Sequence, residues 1–516
     1  MTTFFVSLAR VGQFFLATKY IKSKISLFHP NNKHKPSSEP PHLIPPRSSS
    51  LSPPLFTVNF KSTTSNPPQV VDDDRHSFKT TATNIDGILL SPKNNKHTHV
   101  AFFPYFMLVA FEGGGLLRAF FLLASYPLLC IMPLQYQIKI MTFISFFGLK
   151  LRNMNVVGRA VLPKFYSQHL DVQPLQDLKT MPKAIVTTIP KAMIEPYFKE
   201  YLGIQYVIGS EQGQFESVKR FNGLIHEPNF HLGLNYGGPK HMDSGPVKVN
   251  NPVIFHDGRL AFLPTPIATL VMFVWLPLGV ILAVVRILNG CIFPYHVSYA
   301  INSWTGLQKR VQGLDLSRSE RNKGVLYVCN HRTLLDPVML SIVTRKPLTA
   351  VTYSLSTFSE IIAPIKTVSL TRDKANDRAT IHKLLTQGDL VVCPEGTTCR
   401  EPYLLRFSPL FAEVTDEIVL VAMDTRVSMF YGTTASGLKW LDSIFFLMNP
   451  TPRYNIRILG KLPRELTCGG GKSNIEVANY AQKKLADALG FTCTNLTRKD
   501  KYLTLVGDKG VVAPLK

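Results

Sequence analysis

Acidic residues are scarce in this chain. Its 516 residues include 34 Asp and Glu but 57 Lys and Arg, which gives a formal net charge of +23 at pH 7. Such an excess favours an acidic partner, whether nucleic acid, an anionic membrane surface or a phosphorylated substrate. The sequence lacks an RNA-binding or helix-turn-helix signature and contains long apolar runs. Composition therefore favours a lipid bilayer and phosphorylated substrates, and we expect no nucleic-acid partner.

Patterned cysteines are absent as well. The chain has seven cysteines, but no C-x-x-C pair occurs and no His lies at metal-ligand spacing from them. An odd, unpatterned set of this kind is typical of free thiols in an intracellular enzyme. We therefore expect neither a disulfide framework nor a metal site.

The first 38 residues contain no acid, and basic residues alternate there with apolar ones. An acid-poor, basic, amphipathic start is typical of mitochondrial transit peptides, while a membrane-surface anchor or a disordered arm is the alternative. Residues 30–68 are rich in Pro, Ser, Asn and Lys, which predicts a linker. Residues 1–80 are therefore interpreted as an amphipathic start followed by a disordered linker.

Apolar segments occur in two regions. Residues 119–149 contain two apolar runs, which predict hydrophobic helices that are re-entrant or interfacial, or else buried in a core. Residues 267–285 contain no charged residue, and their length approaches the roughly 20 residues that span a bilayer. The sequence therefore predicts a transmembrane segment at 261–290.

The carboxy-terminal part alternates short apolar runs with helical patterns. Alternation of this kind predicts an α/β sheet with helices on its faces. The predicted strands are 325–329, 348–353, 367–370, 390–393, 418–423 and 454–459, and the clearest helices are 375–387 and 475–489.

The motif N-H-R-T-L-L-D-P at 330–337 follows one of these strands. Asp336 suits a helix N-cap and Pro337 a first helical position, so His331 leaves a strand where Asp336 opens a helix. A carboxylate on one ring nitrogen fixes the tautomer and leaves the other nitrogen free to accept a proton from a hydroxyl. The pair is suited to general-base catalysis, while a capping Asp beside an uninvolved surface His is the alternative.

A second motif, P-E-G-T-T-C-R at 394–400, follows the strand 390–393. Gly396, Thr397 and Thr398 supply backbone and hydroxyl donors, and Arg400 adds a planar fork that suits phosphate. The motif predicts an anion site, and a turn with a solvated Arg is the alternative.

Together the two motifs resemble the glycerolipid acyltransferase superfamily, whose signature is H-x4-D followed by P-E-G-T. The resemblance is closer to the land-plant glycerol-3-phosphate acyltransferases of the cutin and suberin type, and it includes I-F-H-D-G-R-L at 254–260 and C-G-G-G-K-S-N-I-E-V-A-N-Y at 468–480. It implies an acyltransferase that uses acyl-CoA as co-substrate, needs no cofactor and acylates glycerol 3-phosphate, at sn-2 in the plant subfamily. The product would be lysophosphatidic acid.

The resemblance also assigns roles to individual residues. It makes His331 the base and Asp336 the group that orients it, and it assigns acceptor binding to Arg372, Glu395, Gly396 and Arg400. Thr397 and Thr398 are candidate donors to the oxyanion. In the fourth block of the family, Leu420 replaces a Pro on the acyl side, which leaves the chain-length preference open.

The stretch N-I-D-G-I at 84–88 resembles the first motif of haloacid-dehalogenase-type phosphatases, D-x-D-G-T. Asn84 stands where the nucleophilic Asp is expected, and an amide neither attacks phosphorus nor replaces a carboxylate ligand of magnesium. Asp86 remains, Thr187 or Thr188 matches the second motif, and no G-D-x-x-x-D occurs between residues 232 and 255. The phosphatase motif is degenerate, so the product should keep its phosphate.

The predicted organisation is an amino-terminal haloacid-dehalogenase-like α/β domain at 81–260, the membrane segment at 261–290, and an acyltransferase α/β domain at 291–516. Two other functions stay open: acylation of lysophosphatidic acid, and a catalytically silent membrane scaffold. The family favours the endoplasmic reticulum membrane, whereas the acid-poor start favours a mitochondrial membrane.

Overall fold

The computed structural model describes the backbone of residues 55–59 and 79–84, residues 86 and 100, and the segments 102–169, 184–215, 219–226, 253–313, 324–353 and 357–507. The predictions for the amphipathic start, most of the linker and the side chain of Asn84 lie outside the described residues. The same holds for 232–252, where the acidic phosphatase motif is missing from the sequence.

The amino-terminal part is built on a five-stranded sheet with the order β1-β2-β3-β4-β5. The parallel pairs β2/β3 and β3/β4 lie at its centre, and the outer pairs are antiparallel. The strands are β1 Leu55–Asn59, β2 Lys79–Asn84, β3 Ala184–Pro190, β4 Tyr206–Phe215 and β5 Arg220–His226.

Seven helices belong to the described portion of this part: α1 Phe103–Leu108, α2 Leu116–Ala124, α3 Tyr126–Ile131, α4 Leu134–Phe146, α5 Leu151–Ala160, α6 Leu162–His169 and α7 Lys191–Glu200. A π-helical turn, Val109–Gly113, continues α1 and carries Glu112. Helix α1 is buried along its whole length.

The apolar region at 119–149 forms three short helices where the sequence suggested two runs. Pro127 stands in the first turn of α3 and Pro133 caps α4, and proline is accepted there because the first turn of a helix leaves its N–H groups unpaired. None of these three helices is long enough to cross a bilayer. Large apolar side chains of α2 are nevertheless exposed, among them Leu117, Phe120 and Phe121.

Helix α8, Pro266–Ile292, is the one helix in the described segments with the length and composition to cross a membrane. It begins at the cap Thr265, whose hydroxyl accepts the N–H of Ala268. A third of its most apolar window is buried. The buried side includes Trp275, whose indole donates to the carbonyl of Met448 at 2.8 Å.

The carboxy-terminal part contains a seven-stranded sheet with the order β6-β13-β12-β7-β10-β8-β9. All neighbours are parallel except β12 and β13. The strands are β6 Gln308–Gly313, β7 Leu326–Cys329, β8 Thr349–Thr352, β9 Lys366–Ser369, β10 Leu390–Val392, β12 Ile418–Arg426 and β13 Arg453–Lys461, while β11 Tyr403–Leu404 pairs with β14 Thr492–Cys493 outside this sheet.

Helices cover this sheet, which confirms the predicted α/β architecture. They are α9 Tyr295–Trp304, α10 Asp336–Thr344, α11 Thr357–Ile361, α12 Lys374–Leu385, α13 Asp442–Leu447, α14 Asn474–Leu489 and α15 Arg498–Val506. A capping box of Ser473 and Glu476 starts α14, which packs its apolar side into the core against β12. All six predicted strands and both predicted helices are present, with ends that differ by up to three residues.

Candidate active site

The two motifs meet because their strands are neighbours. Strands β7 and β10 run parallel with Val328 beside Val392, so the segments that follow them leave the same edge of the sheet. Two residues beyond this edge, the backbone N–H of His331 donates to Oε1 of Glu395 at 2.7 Å. The other carboxylate oxygen, Oε2, accepts the N–H of Leu405 at 3.0 Å.

These contacts give Glu395 a positioning role. Its side chain is buried, and burial raises its pKa to about 7 although the two N–H donors act in the opposite direction. The contacts of Glu395 hold the backbone of His331 in place. Binding of the acceptor by Glu395, which the resemblance implies, stays a prediction.

The imidazole of His331 lies against a buried carboxylate. Its Nδ1 is 3.0 Å from Oδ2 of Asp336, and that oxygen also accepts the N–H groups of Arg332 at 2.5 Å and Thr333 at 3.0 Å. The other oxygen, Oδ1, accepts the hydroxyl of Tyr454 at 3.0 Å. The structure therefore brings His331 and Asp336 together as the motif predicted.

Asp336 differs from the expectation in one respect, because it is the first residue of α10 and Leu335 takes the cap position. Its carboxylate accepts N–H groups from the turn before the helix, whereas a capping residue accepts those of the first helical turn. The alternative of a capping Asp beside an unrelated His therefore does not describe this site. Sequence gave no sign of Tyr454, which lies 118 positions away on β13.

The charge on His331 depends on two opposed effects. Burial lowers the pKa of its imidazole, but the neighbouring Cys393 and Asp336 outweigh it, and the pKa lies well above its ordinary value. The pKa of the Cys393 thiol is itself raised well above its ordinary value by its hydrogen bond with Cys329 and by burial. The hydrogen bond between Nδ1 of His331 and Asp336 is one of the contacts that raise the pKa of the imidazole.

Possible ligand atoms of His331, Asp336 and Cys393 lie within 4.8 Å of one another. Metal ligation by cysteine needs the thiolate, which the raised pKa of Cys393 disfavours, and Asp336 already accepts four hydrogen-bond donors besides His331. This arrangement suits proton transfer better than metal binding.

Arg332 connects the two motifs through backbone carbonyls. Its guanidinium donates to the carbonyls of Cys399 at 2.7 Å, Arg400 at 2.6 Å and Glu401 at 2.6 Å. The carbonyl of His331 in turn accepts the N–H of Cys399 at 2.7 Å. A buried Arg is therefore part of the site's framework, a role that the sequence did not indicate.

The side chain of Arg400 is directed to the segment 254–260. Its guanidinium donates to the carbonyl of Gly258 at 2.5 Å and to that of Thr433, and it lies over the ring of Tyr431. Arg400 does not belong to the described residues that line the cavity beside His331. Its contacts support the P-E-G-T-T-C-R loop, and direct phosphate binding by Arg400 stays a prediction.

Arg372 lies on the loop after β9 and is exposed. Its φ of 70° falls in the left-handed region, which is uncommon for a residue with a side chain. The carboxylate of Asp377 holds this conformation by accepting the N–H groups of Thr371 at 2.7 Å and Arg372 at 3.0 Å. Arg372 is also missing from the described residues that line the cavity, so its contact with the acceptor phosphate stays a prediction.

A cavity opens beside the His331 ring and has two chemically different parts. One part is apolar and includes Val338, Met339, Ile342, Ile362 and Ile365. The other is polar and includes Gly396, Thr397, Thr398, Lys439, Arg498 and Tyr502. Such a cavity suits a substrate with an apolar chain and a charged group, placed with a reacting atom near His331. Leu420 lies in the core cluster and is not among these lining residues.

The phosphatase-like motif lies at the carboxyl edge of the other sheet. The carboxylate of Asp86 accepts the hydroxyl of Thr187 at 2.6 Å and the N–H of Thr188 at 2.9 Å. The structure thus brings together the parts of the first and second motifs that it describes. Both oxygens of Asp86 are engaged by the protein itself.

The fold and the two sites agree with two family models. Residues 80–242 match the HAD-like domain of RAM2-like glycerol-3-phosphate acyltransferases, and residues 309–424 match the acyltransferase domain. The chain is therefore an acyltransferase with a haloacid-dehalogenase-like domain on its amino-terminal side.

Relatives of known name cover most of the chain. Glycerol-3-phosphate acyltransferase 1 of Arabidopsis thaliana is 49% identical over 477 residues, which are 83% of this chain and 81% of that protein. Glycerol-3-phosphate acyltransferase RAM2 of Petunia hybrida is 41% identical over 476 residues, which are 83% and 97% of the two chains. The chain belongs to the plant glycerol-3-phosphate acyltransferase family, which confirms the resemblance of its motifs.

Proposed function

We propose that this protein transfers an acyl group from acyl-CoA to a hydroxyl of glycerol 3-phosphate, at sn-2, and releases lysophosphatidic acid. The observation that carries the proposal is the His331–Asp336 pair, with the ring at the cavity and the carboxylate buried behind it. The names of the relatives support the choice of acceptor.

The pair accounts for the proton transfers of the reaction. Because Nδ1 donates to Asp336, Nε2 is the ring nitrogen that accepts the proton of the acceptor hydroxyl as its oxygen attacks the thioester carbonyl. The tetrahedral intermediate then collapses, the C–S bond breaks, and the imidazolium returns the proton to the departing CoA thiolate. Donors of the loop at 396–398 are placed on the same cavity, where we propose that they stabilise the oxyanion.

The first experiment uses membranes that contain the full chain, with acyl-CoA and labelled glycerol 3-phosphate. We expect labelled lysophosphatidic acid from the wild type and from His382→Ala, an exposed histidine of α12 that serves as control. His331→Ala should lose about 100-fold or more of kcat, because a general base contributes that much. Equal activity of His331→Ala and the control would refute the proposed base, and a product formed only from added lysophosphatidic acid would make that lipid the acceptor.

We also propose that the amino-terminal domain does not remove the phosphate. Both oxygens of Asp86 accept hydrogen bonds from Thr187 and Thr188 of β3, and Asn84 offers no anionic nucleophile. The same assay tests this point, because a phosphatase would convert the labelled product into monoacylglycerol. Accumulation of monoacylglycerol by the purified chain would contradict the proposal.

Association with a bilayer is the third part of the proposal. The exposed apolar side chains of α2 and α8 form one surface, since the rings of Phe120 and Phe273 are in edge-to-face contact at 5.9 Å. Ile287 and Gly290 of α8 line the cavity beside His331, so the acyl chain has an apolar approach from this helix. We propose the endoplasmic reticulum as the location and a mitochondrial membrane as the alternative.

A fluorescent fusion with and without residues 1–38 separates the two locations. An unchanged location of the shortened fusion would rule out a transit peptide, and loss of mitochondrial signal would support one.

Replacement of Phe120 and Phe121 by Ser should release protein from membranes only if the surface of α2 contributes to binding.

A further inference from the structure

The polar part of the cavity contains two cations arranged around one tyrosine. The ammonium of Lys439 donates to the hydroxyl of Tyr502 at 2.7 Å. The guanidinium carbon of Arg498 lies 4.9 Å from the centre of the same ring. All three side chains line the cavity that His331 also lines. None of the three belongs to the two motifs.

Local structure holds this cluster against the P-E-G-T-T-C-R loop. Arg498 is the first residue of α15, whose start is fixed by a capping box of Thr497 and Asp500. One turn later, the ammonium of Lys501 donates to the carbonyl of Thr398. A Cβ placed on Gly396 would lie 4.0 Å from Cδ of Arg498. Helix α15 therefore presents Arg498 to the P-E-G-T-T-C-R loop that follows β10.

The electrostatic surroundings of Tyr502 indicate a positive potential. Burial raises the pKa of its hydroxyl, but the hydrogen bond and charge of Lys439 and the charge of Arg498 outweigh it and bring the pKa below its ordinary value. Asp442 is the acid among the described residues that line the cavity, and it pairs with Arg259 at 2.7 Å. Burial raises the pKa of Asp442 to about 6, and its carboxylate charge is offset by the pair with Arg259.

A phosphorylated acceptor needs cationic donors within reach of the base, and Arg400 directs its donors to backbone carbonyls. We propose that Lys439 and Arg498, together with the hydroxyl of Tyr502, bind the phosphate group of the acceptor while its hydroxyl lies at His331. This inference rests on the acylation of glycerol 3-phosphate proposed above. It assigns phosphate recognition to α15 and to the turn before α13, outside both sequence motifs.

The test compares Arg498→Gln and Lys439→Gln with Lys499→Gln, which removes an exposed charge from the next position of the same helix. We expect the KM for glycerol 3-phosphate to rise by about 10- to 100-fold in each of the first two variants, because each loses a charged hydrogen bond. The KM for acyl-CoA should not change, and Lys499→Gln should behave as the wild type. Arg498→Lys keeps the charge and should recover part of the loss.

Binding of glycerol 3-phosphate, measured as a thermal shift of the full chain in detergent, separates this inference from the proposed function. A wild type that binds glycerol 3-phosphate without acylating it, and loses binding in Arg498→Gln, would support the site and overturn the function. A rise in the KM for acyl-CoA alone would assign the cations to the CoA phosphates and overturn the inference. Unchanged KM values for both substrates in Arg498→Gln and Lys439→Gln would also overturn the inference. A wild type that neither binds nor acylates glycerol 3-phosphate would overturn it as well.

Discussion

Glu112 offers a sharp test of how the two domains of this protein depend on each other. Its Oε1 accepts the backbone N–H groups of Arg259 at 2.7 Å and Leu260 at 2.9 Å. Glu112→Gln keeps an oxygen that is able to accept both groups, whereas Glu112→Ala leaves them without an acceptor. At about 1–3 kcal/mol for each unsatisfied donor, the Ala variant should lose about 2–6 kcal/mol of unfolding free energy.

The pH dependence distinguishes the Gln variant from the wild type. Burial raises the pKa of Glu112 from 4.5 to about 7, although the two N–H groups and Arg259 act in the opposite direction. The folded chain therefore holds this proton more tightly than the unfolded chain, and the stability contributed by the neutral acid is lost as the pH rises from about 4.5 to about 7. The difference in pKa corresponds to about 3 kcal/mol at most.

Glu112→Gln does not titrate, so it should be more stable than the wild type at pH 8 by up to about 3 kcal/mol and should gain little at pH 4.5. The measurement is unfolding of the full chain in detergent between pH 4.5 and 8, with the exposed Glu465→Gln as control. A difference between Gln variant and wild type that does not change with pH would refute the assigned ionisation. A Gln variant as unstable as Glu112→Ala would refute the assigned hydrogen bonds.

Three predictions concern the active site. Asp336→Asn should lower kcat by about 100-fold or more, because the tautomer of His331 is no longer fixed. Quenched-flow measurement of turnover checks this, and an unchanged kcat would contradict it. The pKa of His331 lies above its ordinary value of 6.5, so the kcat of the wild type should fall as the pH is lowered, with a midpoint above 6.5. A midpoint below 6.5 would be inconsistent with this raised pKa. Arg400→Lys should lower kcat and the midpoint of thermal unfolding, because the carbonyls of Gly258 and Thr433 lose a planar donor. The KM for glycerol 3-phosphate should not change. A selective rise in that KM would instead show that Arg400 binds the phosphate directly.

The fold of the carboxy-terminal domain was predictable because its central strands are buried on both faces. Such strands appear in the sequence as short continuous apolar runs, as at Leu326–Cys329 and in the first six residues of Ile418–Arg426. Strand β6 was missed, since its sequence Q-K-R-V-Q-G is polar and almost entirely exposed at the edge of the sheet. Pro127 and Pro133 were evident in the sequence, but the sequence alone did not show that a new helix begins at each of them and that the helices are therefore short.

The site was predictable in its chain positions and less so in its contacts. Sequence spacing placed His331 and Glu395 after two strands, and their neighbouring order in the sheet brought the motifs together. Which atoms the side chains contact depends on packing between distant segments, as in the hydrogen bond from Tyr454 to Asp336. The cations of the cavity are a second example. Arg498 and Tyr502 lie in the stretch F-T-C-T-N-L-T-R-K-D-K-Y at 491–502, which resembles the family, but nothing in the sequence indicated that they meet Lys439.

The segment 254–260 connects the amino-terminal domain to the acyltransferase site through hydrogen bonds on both of its sides. On the amino-terminal side, it is held by Glu112 and by the carbonyl of Ala160, which accepts the N–H of Asp257 at 2.8 Å. On the other side, its Gly258 accepts Arg400, and its His256 donates a backbone N–H to Glu401 at 2.7 Å. Arg400 and Glu401 are the same residues whose carbonyls accept the guanidinium of Arg332, next to His331. The amino-terminal domain therefore helps to hold the acyltransferase site in place, and its removal should disturb the P-E-G-T-T-C-R loop.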